Sequence, residues 1–171
     1  MKTIAKMLFG LSAALFLALF SSTASAQTTS ARLVNIATRG PIAANDPMIA
    51  GFVTGPGTSQ KRVLIRVVGP SLAAAPFNIS GAIKAPKLEL MAGPNVLRTN
   101  TGWESSGDGP LNAKAAAACG AFPLQAGSAD CVLTVSLFPN SAYTVVASGL
   151  NGSTGTALIE VYEVPDSFVA P

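Results

Sequence analysis

The sequence has no histidine, only two cysteines, a single tryptophan, and charged side chains at just 11% of its 171 positions. Each shortage excludes something. Without imidazole there is no Ser-His-Asp or Cys-His machinery, no histidine general base, and no histidine-ligated zinc or haem. Ser71 follows Gly69-Pro70 rather than sitting in a Gly-x-Ser-x-Gly elbow, so it reads as a turn residue. Carboxylate-only hydrolysis needs two acids flanking a cleft, and no motif marks out such a pair. Glu104, Asp108 and Asn100 share a loop and carry oxygen ligands, but their spacing fits no EF-hand. The expectation is therefore a protein that is not an enzyme, with no metal and no cofactor.

The one long apolar run lies at the start. Lys2 and Lys6 precede an apolar stretch, residues 7–20, broken only by Gly10 and Ser12, and Ala24-Ser25-Ala26 supplies a small-x-small cleavage pattern. Residues 1–26 thus read as a secretory signal peptide cut before Gln27. The run is shorter than the ~20 residues of a spanning helix, and no comparable run follows, so no membrane span is expected after cleavage. The leader lysines also carry much of the net charge of +3. Residues 27–171 are nearly balanced in charge and have no footprint for nucleic acid. The address implied is secreted, either periplasmic or extracellular. In such an oxidising compartment two cysteines suggest one bridge, so a Cys119–Cys131 disulfide is expected around the Gly/Ala-rich loop 120–130.

Residues 27–31 read as a flexible segment, 32–164 as one β-sandwich domain, and 165–171 as a tail. Apolar and polar residues alternate with period two in stretches bounded by Gly, Pro, Asn or Ser, the mark of half-buried antiparallel strands. Strands are expected at 32–37, 48–54, 61–69, 87–91, 96–100, 131–138, 142–148 and 156–164. In the third, Val63, Ile65 and Val67 share one face while Arg62, Leu64, Arg66 and Val68 share the other. Residues 101–130 form one long excursion, with a short helix at its alanines, 112–118. The fold class expected is all-β: an antiparallel sandwich of about eight strands, jelly-roll or immunoglobulin-like.

Several segments together carry a resemblance. They are Arg32-Leu33-Val34-Asn35-Ile36-Ala37-Thr38-Arg39-Gly40, the Gly51-Phe52-Val53 step, residues 61–72 ending Val68-Gly69-Pro70-Ser71-Leu72, and residues 154–162 ending Ile159-Glu160-Val161-Tyr162. In this order they resemble an uncharacterised β-rich domain that recurs in exported bacterial proteins, often near the C-terminus of larger chains. The segment before Trp103 departs from that pattern: Asn100-Thr101-Gly102-Trp103 stands where the family reads Asn-Asp-x-Trp. The later half is also similar in architecture to the small sandwich domains appended to secreted peptidases. Neither resemblance implies a catalytic residue.

Two groups of side chains stand out as candidate sites. Arg66 and Glu160 lie mid-strand and would form a structural ion pair if their strands adjoin. Trp103 sits in a Gly-rich loop with Asn100 and Glu104, the combination with which many modules stack on a sugar ring. The leading functional reading is a secreted structural or interaction module of the bacterial envelope or extracellular matrix, serving adhesion or assembly. Its partner would be a protein or a second copy joined through an edge strand. The alternative is a carbohydrate-binding module that takes a glycan on the Trp103 loop.

Overall fold

The structure is a computed structural model and describes residues 33–171; the leader expected at 1–26 and the segment 27–31 lie outside the described residues. The third strand organises the rest. Lys61–Val68 is rich in β-branched residues, and alternate side chains leave it in opposite directions. Val63, Ile65 and Val67 enter the main core, while Leu64 enters a second cluster on the other side.

The strands are β1 (Asn35–Ile42), β2 (Met48–Val53), β3 (Lys61–Val68), β4 (Pro86–Ala92), β5 (Asn95–Asn100), β6 (Cys131–Leu137), β7 (Ala142–Gly149) and β8 (Gly155–Glu163). Among the described residues they form two four-stranded antiparallel sheets, ordered β1-β8-β3-β6 and β2-β7-β4-β5. The pairs β4–β5, β3–β6, β2–β7 and β1–β8 nest inside one another, as if a single long hairpin had been rolled up. This is a jelly roll, and it decides between the two sandwich types that the strand count alone allows. Between the sheets lie Ile42, Leu88, Leu90, Tyr143, Val145 and Ile159 with the inward side chains of β3 and β6.

The first strand runs further than its sequence suggests. Thr38-Arg39-Gly40-Pro41 reads as a turn, yet β1 continues through it, and Thr38 to Ile42 pair with Ile159 to Gly155. Proline is tolerated there because β1 is an edge strand, with no second ladder that needs its missing N–H. The turn comes later, at the Ala43–Asp46 bridge, where Asn45 takes φ 63°.

Among the described residues two α-helices complete the fold. The short α1 (Pro70–Ala73) follows β3, and α2 (Gly109–Ala118) lies within the 101–130 excursion. Helix α2 has Pro in its first turn, an alanine-rich body, and Gly120 at φ 69° just beyond its end, the usual start and stop chemistry. Through Ala115 it covers the outer face of the first sheet, packing with Leu64, Val132 and Val164. Phe168, in the segment after β8, joins the same cluster, and Arg62 lies 5.3 Å from its ring centroid. The outer face of the second sheet instead exposes Ile49, Val53 and Val96. No helix among the described residues is long and apolar enough to cross a membrane.

The expected disulfide is not formed. Both cysteines are free thiols, and the first sheet separates them. Cys131 starts β6 facing inward, fully buried in the main core, with Sγ 3.1 Å from the Pro86 carbonyl oxygen. Cys119 ends α2 and packs in the outer cluster, its Sγ 3.8 Å from the Glu163 carbonyl oxygen. Side chains on opposite faces of a sheet cannot present the close Cβ atoms that a disulfide requires.

Burial pushes the Cys131 thiol up to about 12 and raises that of Cys119 as well, the latter opposed by the Arg66 charge. The native protein at pH 8 is therefore expected to take up one equivalent of iodoacetamide slowly, at Cys119, and a second only in denaturant, as read by mass spectrometry. No labelling in denaturant without reductant would restore the bridge. The folded state holds Cys131 as the neutral thiol. Its contribution to stability is thus intact below the ordinary value of 9.0 and is lost as pH climbs towards 12.

Candidate functional site

The most unusual side chain in the molecule is a fully buried arginine. Arg66 lies mid-way along β3, directly across the ladder from Glu160 on β8, and both point to the outer face of the first sheet. Arg66 Nε and Glu160 Oε2 are 2.8 Å apart, with the two side chains 0% and 7% exposed. Such a charge is tolerable in the interior only when paired and bonded. The remaining partners are visible: Arg66 Nη1 donates to the Phe122 carbonyl at 2.7 Å, and the guanidinium lies 4.2 Å over the Phe122 ring. Phe77 in turn packs on that ring, centroids 4.7 Å apart. Tyr162 donates its hydroxyl to Glu160 Oε1 at 2.7 Å. Burial, reinforced by the Glu160 hydrogen bond and charge, pushes the Tyr162 phenol up to about 12, so it remains a donor at all ordinary pH. Arg66 Nε, Arg66 Nη2 and Glu160 Oε2 are all buried and make no well-aligned hydrogen bond, so the two side chains are held to each other as an ion pair.

Nearby, the loop 100–105 brings Trp103, Asn100 and Glu104 together, and the fold uses all three to tie itself down. Asn100 is buried and its Oδ1 accepts from the backbone N–H groups of Gly102 and Val132, both at 3.1 Å. Its Nδ2 donates to Ser105 Oγ at 3.3 Å. Glu104 Oε2 accepts from Gly127 N at 2.7 Å. Trp103 donates its indole N–H to the Gln125 carbonyl at 3.0 Å and lays its ring against the cluster over the first sheet. Asn112 of α2 joins loop to strand, donating to the Trp103 carbonyl at 2.8 Å and accepting from Thr134 Oγ1 at 2.9 Å.

One residue of equal weight carries no distinguishing mark in the sequence. Asp130, fully buried, accepts from Gly69 N at 2.7 Å, Ser71 N at 3.2 Å and Ser128 Oγ at 2.6 Å, and makes a short bond with Ser71 Oγ. Ser71 Oγ also accepts from Gln125 N at 3.0 Å. One carboxylate thereby fastens the end of β3, α1 and the 120s loop to the start of β6. The Ser128 spacing is a local signal of an Asp-centred turn; the other partners lie too far along the chain to be read from it.

Around Arg66 the surface opens into a cavity of about 180 Å³ between α2, residues 121–124 and the first sheet. Trp103, Asn112, Ala116, Leu124 and Val132 line it together with Arg66. Among the described residues no three His, Cys, Asp or Glu side chains converge as metal ligands would.

No family model matches the chain, and no curated protein matches it either. A solved structure to which it is similar is the pre-peptidase C-terminal domain of collagenase from Bacillus anthracis. The two are 14% identical, the match covers 75% of this chain and 89% of that one, and the TM-score is 0.43.

Proposed function

We propose that the chain is an exported, non-enzymatic interaction module of envelope or matrix material, and that it joins a second copy of itself through β2. The observation that carries this reading is the character of the four edge strands. An open edge invites pairing, and proteins that must stay apart blunt it with charge, proline or a cap. Strand β1 carries Arg39 and Pro41, and β5 carries Arg98. On β6 the Val132 N–H is already taken by Asn100. Strand β2, Met-Ile-Ala-Gly-Phe-Val, has none of these, and it exposes Ile49 (61%) and Val53 (72%). Antiparallel pairing of β2 with its own copy about a two-fold axis is self-complementary and would join two sheets into one of eight strands. The buried carboxylates favour a non-catalytic role: Asp130 and Glu160 are both committed to internal partners.

Analytical ultracentrifugation of residues 27–171 tests the reading. A concentration-dependent dimer is expected, weakened at least about tenfold by Ile49→Lys, which sets like charges against each other across the new ladder. Because Ile49 is exposed, the melting temperature of the isolated fold should not move. A wild-type protein that stays monomeric at high concentration overturns self-association.

A further inference from the structure

The flank of the sandwich opposite β2 is also open. Strands β5 and β6 are each the last in their sheet, so each keeps one backbone edge without a ladder partner. At one end the two are tied together, where Asn100 Oδ1 accepts from Val132 N at 3.1 Å. Beyond that tie a groove of about 420 Å³ runs between them, with Leu90, Leu97, Arg98, Val135 and Leu137 in its walls. Its floor reaches the main core, to which the buried Leu90 and Leu137 belong. Arg98 stands directly across the ladder from Leu90, hence on the core-facing side of β5, yet it is exposed at the mouth of the groove. Leu97 is the extra residue of a β-bulge, which lets two successive side chains line the same groove. No ion pair among the described residues includes Arg98, and its guanidinium bonds only the adjacent Leu97 carbonyl, at 2.8 Å.

We infer that this groove takes an extended strand of a partner protein, added antiparallel to β5, with an acidic side chain opposite Arg98 and an apolar side chain two residues to either side of it. The spacing follows from strand geometry. Directly opposite residues share a face and side chains alternate, so the acid and the residues two away enter the groove together. The acid meets Arg98, and the apolar pair lies against Leu97, Val135 and Leu137. A fatty acid would satisfy the charge and the apolar walls, but only a polypeptide also answers the unpaired N–H and C=O groups of the edge. The same arginine keeps β5 from pairing with its own copy, which would bring a second cation to the groove; an acidic strand turns that repulsion into attraction.

Two peptides capped at both ends, Thr-Val-Thr-Glu-Thr-Val-Thr and its lysine counterpart, test the assignment against residues 27–171, read from backbone ¹H–¹⁵N shifts. The glutamate peptide is expected to shift the β5 and Leu137 resonances saturably, and the lysine peptide to bind at least about fivefold more weakly. Arg98→Glu should reverse that order, and because Arg98 is exposed the variant should fold as the wild type does. Ile49→Lys should leave peptide binding unchanged, so failure of this inference and failure of β2 pairing are told apart. Equal binding of the two peptides, no saturable shift with either, or shifts confined to β2 would overturn the inference. So would laurate that moves the same resonances at lower concentration than the glutamate peptide, since the groove would then be a site for an alkyl chain.

Discussion

Replacing Arg66 with methionine is expected to destabilise the fold by about 3–5 kcal/mol, because Glu160 would be left charged and buried with nothing opposite it. The ladder places the two residues face to face, and Glu160 keeps only the Tyr162 hydroxyl once the guanidinium is gone. The Phe122 carbonyl also loses its donor, and the Phe122 ring its cation. The double variant Arg66→Met/Glu160→Leu should recover most of the loss, since an apolar pair of similar volume removes the uncompensated charge. Urea unfolding of the wild type, both single variants and the double variant closes the cycle. Single-variant costs that simply add in the double would mean the two side chains do not act as a pair.

A single methyl group at Gly69 should be almost as damaging. Gly69 sits between β3 and α1, and a Cβ there would overlap the Ile83 carbonyl oxygen and lie 2.5 Å from Ile83 Cγ2. Ile83 has little room to retreat. It is fully buried in the core, and its N–H is bonded to Thr156 on β8 at 2.9 Å. Moving Gly69 instead would pull its N–H from Asp130, which ties together the end of β3 and the start of β6. Gly69→Ala is therefore expected to cost about 3 kcal/mol or more, at the upper end for overpacking. By contrast Gly55→Ala, where a Cβ would meet nothing within 4 Å, should change stability by well under ~1 kcal/mol. Thermal melts of the two variants side by side would separate steric conflict from any general intolerance of alanine.

What the sequence made legible followed from period-two alternation. Val63, Ile65 and Val67 fall on the core side of β3 as their spacing requires, and Leu88 and Leu90 do so on β4, because a strand has only two faces. The placing of Arg66 opposite Glu160 is harder to read. Both residues are visibly mid-strand, but only the rolled order of strands makes β3 and β8 neighbours.

The end of β1 was obscured by Gly40-Pro41, since turn chemistry and an unpaired edge favour the same residues. The cysteines misled for a related reason. Distance along the chain and redox address say nothing about which side of a sheet a side chain occupies, and Cys119 and Cys131 occupy opposite sides. Asn100, Trp103 and Glu104 were recognisable as a polar group around an aromatic. Their partners, Val132 N, the Gln125 carbonyl and Gly127 N, lie across the excursion, beyond the reach of any local pattern. Asp130 escaped notice for the same reason.

The nested strand order also dictates when the molecule can take shape. As the chain emerges from its N-terminus, β4 and β5 are the first strands able to find each other; β1, β2 and β3 must wait for partners made later. Strand β6 reaches β3, β7 then inserts between β2 and β4, and β8 closes the first sheet by sliding between β1 and β3. Such long-range pairing is slow compared with the folding of helical bundles. Strand β1, the first made, must therefore stay unpaired until β8, the last of the eight, has been synthesised.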